Sequence, residues 1–128
     1  LIVTALILVA GISTFGKVLL WQDEIALWNR VAQHAPDSIP VHVGLGEAYL
    51  IRGHELQDKD LLENAKAHFG HALTLGERRP EVVLNYCNVL AALDEYPKAL
   101  EVLTGLGGAE ESSPYHELYL HVRSRATH

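Results

Sequence analysis

"RRPEVVLNYCNVLAALDEYPKALEVLTGLGG", residues 78–108, sets out one helical hairpin from end to end. Pro80 suits the first turn of a helix, where the missing N–H leaves no hydrogen bond unmade. Apolar residues then recur at helical spacing, predicting a helix from Pro80 to about Leu93. Asp94 and Glu95 supply a turn, and a second helix runs from Pro97 to about Leu106, before a glycine pair. No stretch alternates apolar and polar residues as a strand would.

The scheme repeats on both sides. Upstream, "VHVGLGEAYLIRG" (residues 41–53) places Val41, Leu45, Ala48 and Tyr49 on one stripe, opened by Ser38 or Asp37 with Pro40 and closed at Gly53. "HELQDK" (54–59) reads as a polar loop. "DLLE" (60–63) reads as a capping box, with Asp60 accepting from backbone and Glu63 reaching back. The helix it opens carries Leu62, Ala65, Phe69, Ala72 and Leu73 and ends near Gly76. Downstream, Ser113 and Pro114 cap a last helix bearing Tyr115, Leu118, Tyr119 and Val122. The expected fold class is all-α.

Paired helices of about a dozen residues invite a search for a period. Leu45, Gly46 and Tyr49, with Gly53 at the turn and then Ala65, Phe69 and Ala72, resemble the tetratricopeptide repeat, a helix hairpin of about 34 residues. A second copy keeps Asn85, Tyr86, Leu90, Tyr96, Ala99 and Leu103, with Cys87 where the family usually has glycine. The first copy is too long for the family, and "HELQDK" is expected to absorb the excess as an insertion. In "WQDEIALWNRVAQHAPDS" (21–38), Trp21, Trp28, Val31 and Pro36 resemble the second helix of a preceding repeat. Trp21 and Trp28, two turns apart, should pack on the helix carrying Leu45 and Tyr49. The resemblance implies a short solenoid over residues 21–128. Solenoid repeats bury their faces only against neighbours, so so short an array invites association.

Residues 1–20, "LIVTALILVAGISTFGKVLL", form a separate unit with a single charge, Lys17. As a helix they would span about 30 Å, the thickness of a bilayer's hydrocarbon core. Leu6, Ile7, Leu8, Val9, Ile12, Phe15 and Leu19 would face lipid or neighbouring subunits, and Trp21 would sit at the interface.

All sixteen acidic residues follow this segment, leaving nine Lys and Arg against them and a balance of −7. An acidic body without a basic stripe argues against nucleic-acid binding and against a polybasic membrane patch. Cys87, the one cysteine, has no internal disulfide partner and falls at an apolar helical position.

Eight histidines raise the question of a metal. His68 and His71 lie one turn apart, but Glu63 and Glu77 are too distant to complete a set, so surface histidines are expected. "HELYLH" (116–121) is one residue too long for a zincin pair. Asp23 with Glu24, Asp58 with Asp60, and Glu110 with Glu111 read as solvated faces. No phosphate-cradling loop or nucleophile elbow is present in the pattern. The expectation is therefore a non-enzyme without cofactor or metal.

The family resemblance implies a concave face lined by the first helix of each pair: Val43, Glu47, Leu50, Leu84, Asn88 and Ala91. Val43 and Leu84 stand where repeats that grip acidic peptide termini carry lysine, so an apolar or amphipathic helix is the expected partner. The leader and "DEIALW" resemble the junction in polytopic membrane proteins with tetratricopeptide tails, including mannosyltransferase-like ones. The expected function is a membrane-tethered protein-interaction scaffold. Arg30 is the first basic residue past the leader, which favours a repeat domain outside the cytoplasm. The alternative is a pilus-like filament subunit that buries its leader between copies, although Ala5 stands where type IV pilins carry glutamate.

Overall fold

A computed structural model describes residues 22–128, and the expectations for the hydrophobic segment 1–20 and for Trp21 concern residues outside those described. The described residues are all helical, with no strand among them. A helix runs through residues 22–34 (α1). It is followed by α2 (Ile39–Leu56), α3 (Lys59–Thr74), α4 (Pro80–Ala92), α5 (Tyr96–Gly105) and α6 (His116–Ala126). From α2 onward each helix packs chiefly on its neighbours in sequence, as in a helical repeat, and α2 also touches α4 directly. None of these helices is long and apolar enough to cross a membrane.

Two apolar clusters hold the array. The larger one gathers Ala65, Phe69 and Ala72 of α3, Val82, Val83, Tyr86, Cys87, Val89 and Leu90 of α4, Ala99 and Leu103 of α5, and Val122 of α6. Phe69 is wholly buried, a burial that stabilises by roughly 2–3 kcal/mol. The smaller cluster joins α1 to α2 through Ile25, Val41, Leu45 and Ala48, with Trp28 packed against it. Trp28 thus packs on the Leu45 and Tyr49 helix as its spacing predicts.

The α2–α3 connection differs from expectation. Gly53 does not end α2; it is buried against Leu62, whose Cδ2 would lie 2.7 Å from a β-carbon there. The helix continues through His54 and Glu55, where Arg52 donates to Glu55 at 2.6 Å, and stops only at Gln57, with φ +50°. The surplus residues therefore lengthen the helices instead of forming a polar loop. Asp58, not Asp60, caps α3, its Oδ1 accepting from the Asp60 and Leu61 amides at 2.9 and 3.3 Å. Glu63 pairs forward with Lys66 at 2.6 Å instead of closing a capping box.

Downstream, α4 and α5 fall within a residue of the pattern, whereas α6 begins only at His116 with Tyr115 as its N-cap, so Ser113 and Pro114 do not cap it and Tyr115 lies ahead of it. Asp94 takes a positive φ of +59°, and the Glu95 amide bonds back to the Leu90 carbonyl at 2.8 Å, closing the turn. Glu95 then accepts from Lys66 at 2.9 Å, linking the start of α5 to α3. Ser113 Oγ accepts from the Tyr115 amide one residue ahead of α6.

Candidate partner-binding face

The sequence-predicted face divides by depth. Val43 is buried, 7% exposed, within the larger cluster, so it packs between helices and offers little to a ligand. A β-branched apolar residue at that register met the α3 and α4 side chains before it met solvent. Leu50 and Leu84 are half-buried, packed against the core with an edge outward. Glu47 and Asn88 are exposed, and Ala91 is intermediate. Because α2 and α4 touch, these residues come from adjoining helices.

Glu47 also lines a pocket of about 210 Å³ between α1 and α2, with Glu24, Trp28, Gly44, Ala48, Ile51 and Arg52. Gly44 makes that approach possible, since a β-carbon there would fall 2.9 Å from the Trp28 ring. The pocket offers an indole wall with carboxylates at its rim. Ile51, 56% exposed, extends the apolar surface outward. A second pocket, about 260 Å³, lies between the end of α3 and α5, lined by Leu73, Arg78, Glu101, Val102, Gly105 and Leu106.

Glu77, which the sequence reading weighs only as a carboxylate too distant to join His68 and His71, is buried at 6% exposure beside the α4 N-terminus. Its Oε1 accepts from the Arg78 and Arg79 amides at 3.0 and 2.9 Å, and its carboxylate pairs with the Arg79 guanidinium at 2.9 Å. Arg79, the N-cap residue, makes no side-chain cap of its own, so Glu77 supplies the negative charge that a helix start favours. The side-chain bond from Arg79, with the amide bonds, holds the Glu77 carboxyl down at about 2.

Three histidines also meet where none was expected to. His42 of α2 stacks on His68 of α3 with ring centroids 5.4 Å apart, and sets an edge against His71 at 4.3 Å. Tyr49 stacks on His68 at 5.6 Å. Spacing along α3 alone could not reveal this, because His42 arrives from another helix. Among the described residues, no group of three or more His, Cys, Asp or Glu side chains is arranged to hold a metal ion. His116 instead bonds locally, its Nδ1 donating to the Gly108 carbonyl at 3.2 Å.

No protein-family model matches the chain, and neither the curated proteins nor the solved structures contain a significant match.

Proposed function

We propose that this chain is a non-enzymatic interaction scaffold of the tetratricopeptide type, tethered by its hydrophobic first twenty residues, with its repeat domain outside the cytoplasm. The observation that supports the reading is that α2 and α4 touch, each carrying a half-buried leucine, Leu50 or Leu84, one turn from an exposed polar residue, Glu47 or Asn88. Apolar edges between polar rims suit an amphipathic helix laid along the face. Twenty nearly uncharged residues preceding an acidic body call for lipid or protein shelter.

The test is display selection of amphipathic helical peptides on the full chain held in detergent micelles. Peptides whose binding is lost on Leu50→Glu or Leu84→Glu support the face; binding indifferent to both changes removes it.

A second reading, a self-assembling filament subunit, has one observation in its favour. Leu27 and Val31 of α1 are 58% and 39% exposed, leaving apolar surface at the start of the array that another copy could cover. Ordered polymers in negative-stain images of the full chain, lost on Leu27→Glu, would favour it.

A further inference from the structure

The histidines between α2 and α3 are linked by hydrogen bonds that fix where protons can go. The Pro36 carbonyl can only accept, so the His42 Nε2 that lies 2.6 Å from it carries hydrogen. In neutral His42, Nδ1 is then a lone pair, and the His68 Nδ1 at 3.1 Å must donate to it. One added proton is tolerated: charged His42 donates from Nδ1, and His68 shifts to its other tautomer and accepts. A second proton is not, because two N–H groups would then point at each other across 3.1 Å.

The surroundings give that second charge little relief. From the turn before α2 comes Asp37, 82% exposed and 3.9 Å from His71 Nε2, a distance and exposure at which screening leaves little attraction. From α2 come His42 itself and Tyr49, which stacks on His68 without countercharge. From α3 come His68 and His71. Burial, followed by the charges of His42 and His71, pushes the His68 imidazole below its usual value.

We propose that His42, His68 and His71 form an acid-triggered latch: the α2–α3 seam closes with at most one proton on the His42–His68 pair and is driven open by the second. Opening it displaces α2, and with it Glu47 and Leu50, from their places beside α4. Acid release of a partner rests on the face proposed above; the acid response of the seam does not.

The sign follows from linkage. A histidine whose folded value is lowered binds fewer protons than in the unfolded chain, so stability is full above the ordinary histidine value and falls as pH drops below it. The experiment is hydrogen exchange by mass spectrometry on the full chain in detergent micelles, without any partner, at about pH 7.5 and about pH 5.5, corrected for intrinsic rates. Opening of α2 and α3 peptides should rise several-fold more than that of α5 and α6, and the excess should vanish in the His42→Gln, His68→Gln variant. A uniform rise, or an unchanged excess in the variant, overturns the latch. Should that variant not fold, ring nitrogen resonances of the wild-type histidines provide the second readout. The pair should take up protons in two separated steps, the second below the ordinary histidine range; independent titration at the ordinary value overturns the proposal. Because neither readout uses a partner, a failed latch is distinguishable from a failed binding face.

Discussion

Gly46 of α2 lies so close to Phe69 of α3 that a β-carbon on Gly46 would fall 2.8 Å from the ring's Cδ1 and Cε1. Phe69 is wholly buried, so its ring has nowhere to retreat. Helix propensity alone would have Gly46→Ala stabilise by about 1 kcal/mol. Overpacking acts the other way and costs about 1–3 kcal/mol, so a net loss is expected as a lower urea midpoint. A raised midpoint would mean that the two helices are not in this contact.

Glu77 should tie stability to pH in the acid range. Its carboxyl is lowered from an ordinary value of 4.5 to about 2 by Arg79 and the two amides. Its contribution is therefore present in full above the ordinary carboxylate range and is lost as pH falls from there through about 2. Glu77→Gln keeps the shape but removes the charge, and should cost about 1–2 kcal/mol near neutral pH. The difference between variant and wild type, followed by denaturant titration, should shrink as the solution is acidified. A constant difference would contradict the assignment.

Cys87 is fully buried, and burial pushes its thiol up to about 12. The thiolate is the reactive form, so the native protein should resist a thiol reagent that labels it readily in denaturant. Rapid native labelling would place Cys87 outside the core.

On the proposed face, Leu84→Glu should weaken a selected amphipathic peptide by about tenfold or more, the size of a buried anchor's loss. Leu27→Glu, an exposed position of α1 outside that face, should leave the affinity unchanged. Equal effects from the two would show that the peptide is not on the α2–α4 face. Calorimetric titration of both variants gives the comparison.

What was legible in the sequence follows from which interactions are local. Pro80, the Asp94–Glu95 turn and the Phe69 stripe act within a helix or its cap, and their periodicity predicts α4, α5 and the buried side of α3. The α2 terminus was misread because Gly53 serves Leu62 across the hairpin, a partner that spacing along α2 cannot reveal. Asp58 and Asp60 are equally good caps by composition; the left-handed Gln57 decides for Asp58. Val43 was placed at the surface by family register, whereas the packing of α3 and α4 takes it into the core. The role of His42 is not legible because its partner His68 comes from a second helix. Glu77 bonds only the next two residues, Arg78 and Arg79, and it is its burial, not its partners, that the local pattern does not show.

The most direct test of the account is flotation of the full chain with phosphatidylcholine vesicles, coupled to negative-stain imaging of the floated fraction. A tethered scaffold predicts that the protein rises with the vesicles and forms no ordered polymer. A monodisperse monomer left behind in detergent-free buffer would contradict both the proposed tether and the proposed self-association.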